Sequence, residues 1–197
     1  MEDKPPTTSM TDTTKSIKRT KRTWLLILLS LAVIPGGIYT INYLQLQQTM
    51  NQVLTTDTRN AGLRVNVHYG VYVNPSVLIY DLRSLAGTNS KADVFRSLLQ
   101  FAEKMKTKKF DRVELAFKGT TKFVLDGEYF QELGKEYGTQ NPVWTMNHFP
   151  ENLRLPNGQR AYETWTGGWL GVAGKQIEDF NDMHDKWYMK EALRDLR

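Results

Sequence analysis

The residues with the most chemical promise lie between positions 139 and 190, where glycines, tryptophans, histidines and acids crowd together. The stretch TWTGGWLGVAGKQ, residues 164–176, holds four glycines, Trp165, Trp169 and Lys175. A phosphate-binding P-loop needs a glycine five residues before its Gly-Lys pair and a Ser or Thr after the lysine. Here position 169 is Trp and position 176 is Gln, so the pattern fails at both ends. An anion at the N-terminus of the helix that follows is a weaker possibility. The plainer expectation is a turned connection whose glycines permit positive φ while Trp165 and Trp169 pack down on the domain.

The same region offers a carbohydrate platform. Trp144, Tyr162, Trp165 and Trp169 are amphipathic rings of the kind that stack on sugars, and Glu163 is an acid to hydrogen-bond them. These five residues are the candidate ligand or partner surface. A glycosidase would need two carboxylates at a defined separation, and nothing in the spacing of Glu151 and Glu163 selects them.

Other chemistries find no constellation. His68, His148 and His184 are scattered and form no ligand pair at helical or short-loop spacing. The stretch DFNDMHDKWYMK, residues 179–190, begins like a calcium loop but places Met183 fifth, His184 where glycine is required and Lys190 twelfth. The serines carry neither G-x-S-x-G nor S-x-x-K. The absence of cysteine excludes disulfides, thiolate nucleophiles and cysteine-containing metal sites together. The sequence therefore leads to the expectation of no catalytic residues, no metal site and no cofactor.

Charge narrows the partners. Of the net +5, residues 1–56 contribute six Lys/Arg against three Asp/Glu, and residues 57–197 contribute twenty against eighteen. A globular part so nearly balanced lacks the one-sided basic field of a duplex binder, so nucleic acid is not an expected partner.

The elements that must position these residues begin with a polar tail. Residues 1–23 hold no apolar period and end in the cluster Lys15, Lys18, Arg19, Lys21 and Arg22. Residues 24–44, WLLILLSLAVIPGGIYTINYL, carry no charge, and twenty-one residues at about 1.5 Å each match a hydrocarbon core of about 30 Å. The expectation is an uncleaved transmembrane signal anchor. The alternative, a cleaved signal peptide ending at Pro35-Gly36-Gly37, fits a peptidase site poorly, because bulky Ile34 stands two before Gly36. Basic residues before the span and none soon after it set the N-terminus in the cytoplasm and the rest across the membrane. The Gln-, Asn- and Thr-rich residues 45–62 are expected to be a polar stalk.

Residues 63–197 are expected to form an extracytoplasmic α+β domain. LRVNVHYGVYV, residues 63–73, alternates with period two, and VLIYDL, residues 77–82, follows the Asn74-Pro75-Ser76 turn. Ser90 and Asp93 form a capping box that opens a helix with Val94, Phe95, Leu98, Leu99, Ala102 and Met105 on one face. A second hairpin turns at Gly119-Thr120, and GEYFQELGKEYG adds a helix. The pattern β-β-α-β-β-α predicts a small antiparallel sheet with helices on one face. An aromatic, glycine-rich irregular segment at 139–174 is expected to wrap over this core, with a hairpin tip at 155–159, before a C-terminal helix over 175–196.

The resulting expectation is a single-pass, membrane-anchored, non-catalytic interaction module. Its domain would face the outside of a cell envelope, periplasmic in a Gram-negative bacterium, and bind a protein partner. The only N-x-S/T acceptor is disqualified by Pro75, in keeping with a bacterial source. The alternative is a domain that binds or processes envelope glycan through the segment 144–169.

Overall fold

The computed structural model describes residues 33–194. The expected basic tail and positions 24–32 of the expected span lie outside the described residues. Among the described residues no helix is long and apolar enough to cross a membrane. The described residues divide into two units, residues 33–40 and 41–194. In the first, residues 33–40 are helical and the Thr40 hydroxyl donates to the Gly36 carbonyl at 2.8 Å.

The second unit is α+β. It opens with a π-helical turn, Tyr43–Gln47, that runs into helix α1, Gln48–Thr56. Next come strands β1, Arg64–Gly70, and β2, Asn74–Ser84. Helix α2, Lys91–Met105, leads to β3, Arg112–Phe117, and β4, Thr120–Asp126. Then follow α3, Gly127–Glu136, α4, Pro142–His148, and the two-residue strand β5, Leu153–Arg154. Helix α5, Trp169–His184, continues through a π-helical turn, Asp185–Met189, into α6, Lys190–Arg194.

The five strands lie in the order in which the chain makes them. β1–β2, β3–β4 and β4–β5 are antiparallel, whereas β2–β3 is parallel. The sheet is thus mixed, a correction to the expected antiparallel one. The cause is α2, whose fifteen residues carry the chain back over about 22 Å, so that β3 enters the sheet from the end where β2 began. The capping box starts this helix as expected: Asp93 N–H donates to Ser90 Oγ at 3.2 Å and Ser90 N–H to Asp93 Oδ2 at 2.8 Å.

The expected stalk is the second correction. Leu46, Met50 and Val53 are 0 to 4% exposed and belong to the core, beside Val65, Leu98 and Phe101. The polar residues between them have a separate task. β1 is an edge strand, and an edge with open N–H and C=O groups is a template for unwanted pairing. Asn42 Oδ1 accepts from Tyr69 N–H at 2.8 Å, and Gln47 Oε1 accepts from Val67 N–H at 2.8 Å. Their amide nitrogens donate to the carbonyls of Tyr72 and Val65 at 2.8 and 3.1 Å. A π-helical turn bonds residues five apart, which places positions 42 and 47 on one face. Two side-chain amides thus stand in for a neighbouring strand.

The 139–174 segment is more regular than expected. Asn141 caps α4, with its side chain accepting from Val143 N–H at 2.9 Å and Pro142 in the first turn. The tip at 155–159 forms as expected, with Leu155 N–H donating to Gln159 O at 2.8 Å and Gly158 at φ +86. The last helix begins at Trp169, six residues before its expected start, and takes in Gly171 and Gly174. Phe180, His184, Trp187 and Tyr188 form its buried face as expected, but Ile177 is 48% exposed. Trp187 fixes the helix to the sheet by donating its indole N–H to the Ala116 carbonyl at 3.0 Å.

Candidate interaction face of the sheet

Alternation along the strands sends one set of side chains into the helices and the other outward. Val65, Val67, Leu78, Tyr80, Val113, Leu115, Phe123 and Leu125 form the inner set, all 5% exposed or less. The outer set is brought into line by the register. His68 pairs with Ile79, Ile79 with Glu114, Glu114 with Val124 and Val124 with Arg154. One row, His68–Ile79–Glu114–Val124–Arg154, therefore crosses all five strands with polar and apolar groups alternating. Beside it Asn66, Asp81, Ala116 and Thr121 form a second row.

Two adjoining clefts lie on this face. One, of 300 Å³, is lined by His68, Val77, Ile79, Arg112, Glu114 and Thr121 among others. The second, of 430 Å³, shares Arg112, Glu114 and Thr121 and extends to Val124, Arg154 and Leu155. Their polar groups are held in place. Glu114 Oε1 accepts from Arg112 Nε at 2.9 Å while its Oε2 accepts from the Thr121 hydroxyl at 2.8 Å. Asp81, 2% exposed, accepts from Arg83 Nη1 at 2.6 Å and from Gly119 N–H at 3.0 Å. The second of these bonds ties the β3–β4 turn, where Lys118 and Gly119 both have positive φ, to the floor of the face. His68 Nδ1 bonds the Tyr69 carbonyl at 2.8 Å, and the ring stacks on Tyr72 with centroids 4.1 Å apart.

Both carboxylates have an arginine partner, and Arg154, which donates to the Gly158 carbonyl at 3.4 Å, carries charge beyond that balance. The sum is a half-apolar face with an excess of cation. Among the described residues no group of three His, Asp or Glu side chains is placed to hold a metal ion. His184 is fully buried, and desolvation, with the nearby Lys91 charge adding to it, pushes its pKa down to about 3. Its ring lies against Phe180, Trp187 and Tyr188.

Of the residues singled out from the sequence, Trp144, Tyr162, Glu163 and Trp165 do not line these clefts. Trp144 is 45% exposed on α4 and stacks on His148, one helical turn later, with ring centroids 4.2 Å apart. Tyr162 is 8% exposed, lies against Phe123 and donates its hydroxyl to Asp182 at 2.9 Å. Trp165 is half-buried and donates its indole N–H to Asp179 at 2.7 Å, with Lys175 Nζ 5.7 Å from the ring centre. Tyr162 and Trp165 thus bind two acids three residues apart on α5 and tie the incoming segment along that helix. Glu163 is exposed, and Trp169 opens α5. Sequence reasoning missed the outward row because the alternation over residues 63–73 was read only as the mark of a strand, with Asn66 and His68 as its polar half.

No family model matches the chain, and no curated protein and no solved structure matches it either.

Proposed function

We propose that the protein is a single-pass, membrane-anchored, non-catalytic interaction module whose domain lies on the extracytoplasmic side of a cell envelope and receives an acidic segment of a protein partner on the open face of its sheet. The anchor rests on the uncharged residues 24–44 and the basic cluster before them. The docking face rests on one observation, the five-strand row His68–Ile79–Glu114–Val124–Arg154 with Arg112 and Thr121 beside it. Ile79 and Val124 supply apolar contact, and Arg112 and Arg154 supply donors in a planar fork that suits carboxylates. The acids of the face, Asp81 and Glu114, are already engaged by Arg83 and Arg112, so an incoming carboxylate meets a surplus of cation at Arg154.

The test is a pair of charge reversals, Arg112→Glu and Arg154→Glu, in the full chain in its native membranes. The proposal expects the co-purifying partner to be lost while the melting temperature moves little, since both side chains are exposed. Retention of the same partner by the double variant would overturn the assignment of this face. A C-terminal reporter active only in the cytoplasm, if it scored positive, would overturn the orientation.

A further inference from the structure

The β1–β2 hairpin ends in Val71, Tyr72 and Val73, three large side chains that stand exposed, with the Tyr72 ring stacked on His68. Val71, Tyr72 and Val73 are 82, 46 and 60% exposed. Their backbone is also costly: Val71 has φ 42 and Tyr72 φ 64, in the left-handed region that a β-branched residue rarely enters. A turn with two successive residues at positive φ suits Asn-Gly, so this tip pairs strain with exposed apolar surface.

Its position gives that surface an occupant. Asn42 binds the tip directly, donating to the Tyr72 carbonyl and accepting from Tyr69 N–H, both at 2.8 Å. Lys108, in the loop after α2, donates to the Gln45 carbonyl at 3.1 Å and brings its chain segment to the same end. That end therefore gathers the helix at 41–45, the hairpin tip and the Lys106–Lys109 loop, with Ile41 and Leu44 52 and 58% exposed and Tyr43 39% exposed. Residues 41–44 are the last positions of the expected membrane span. A tip hydrogen-bonded to Asn42 stands level with the bilayer surface if the span lies in the bilayer.

We infer that the Val71–Tyr72–Val73 tip is a lipid-contacting element, seated in the headgroup boundary beside the emerging helix and holding the domain against the membrane. The inference rests on the proposed anchor. Tyr72 and Tyr43 then occupy the interface, where an aromatic ring with one polar end is favoured, and the two valines reach the acyl boundary. Lys106 and Lys109 are exposed at the same end and can meet phosphate groups, but Asp126 and Glu128 are exposed there too, so apolar contact dominates.

The chain has no cysteine, so single labels are clean. The full chain is reconstituted in phosphatidylcholine vesicles containing a minority of phosphatidylglycerol, with a nitroxide on Val71→Cys, on Val73→Cys or on Val143→Cys, which lies on α4 and is 57% exposed. The expected result is a loss of accessibility to a water-soluble nickel relaxant at 71 and 73, a gain toward oxygen, and the reverse at 143. A companion variant, Val71→Asn with Tyr72→Gly, relieves the backbone strain and should keep or raise the melting temperature while returning the label at 73 to water. Vesicle flotation separates the two failures. A chain that does not float refutes the anchor and the inference together. A chain that floats with its tip labels as open to nickel as position 143, or with position 73 unchanged in the Asn-Gly variant, refutes the inference alone.

Discussion

Gly134→Ala should destabilise the protein, although alanine is the better helix former. Gly134 is buried in the last turn of α3, where the helix lies against α2. A Cβ built at this position would lie 2.2 Å from the carbonyl oxygen and 2.6 Å from the carbonyl carbon of Ala102, and 3.1 Å from Glu103 N. All three are backbone atoms of α2, so no side chain can swing aside; the helices must part by about 1 Å, against a close-packed interior. Parting them loosens Leu98, Phe101, Ala102, Phe130 and Leu133, all 4% exposed or less. Overpacking of this kind costs about 1–3 kcal/mol, and a rigid backbone contact belongs at the upper end. Against it stands a helix-propensity gain of about 1 kcal/mol. The net expectation is a loss of about 2 kcal/mol, which for a chain of this size lowers Tm by about 4–8 °C. Gly171→Ala and Gly174→Ala are the controls, because among the described residues nothing lies within 4 Å of a Cβ at either site in α5. Each should gain about 0.5–1 kcal/mol from the same chemical change. Thermal unfolding followed by circular dichroism reads all three. A neutral or stabilising Gly134→Ala would show that the α2–α3 contact is looser than described and refute the reasoning.

Asn42→Leu and Gln47→Leu each leave groups on the β1 edge unpaired, and each should cost about 1–3 kcal/mol and promote edge-to-edge association, read by chemical denaturation and by light scattering. His184 is held neutral below its ordinary range, so the unfolded chain binds the extra proton between about pH 6.5 and 3; its contribution is fully present above the unfolded value of about 6.5 and is lost as pH falls. His184→Phe should flatten the fall in stability with acidification in that window, and an unchanged slope in a pH series of melting curves would rule out His184 as its source. Trp165→Ala removes a half-buried ring and its bond to Asp179 and should cost about 1–2 kcal/mol, whereas Trp144→Ala, whose ring is 45% exposed, should cost less than about 0.5 kcal/mol; melting curves distinguish them.

The parts of the fold that local chemistry dictates were legible in the sequence. Ser90 and Asp93 announced α2, the alternation of Val65, Val67 and Tyr69 announced β1, and Leu155-Pro156-Asn157-Gly158-Gln159 announced a tip. The mixed sheet was not legible, because strand direction depends on where α2 returns the chain and no single residue encodes that. The stalk was misjudged for a related reason: Gln47 looks like a solvated amide until β1 is placed beside it. The start of the last helix was hidden by Gly171 and Gly174, whose propensity argues against a helix that Phe180, Met183 and Trp187 impose by packing. The candidate face depends on register, which aligns Glu114 with Ile79 and Val124 across strands up to forty-five positions apart. The aromatic residues drew attention to Trp144, Tyr162 and Trp165 because ring chemistry shows in a sequence, whereas cross-strand alignment does not.

The most direct test of the proposed docking face is a photo-crosslinking comparison in native membranes. A photoreactive side chain is placed at Thr121 or Val124 on the open face, and at Ile177 or Leu170, which are 48 and 69% exposed on the outer side of α5. The account predicts one discrete crosslinked protein from both sheet positions, none from either α5 position, and loss of the sheet product when Arg112→Glu and Arg154→Glu are introduced. Equal labelling from α5 and the sheet, or a sheet product indifferent to the two arginines, would contradict it.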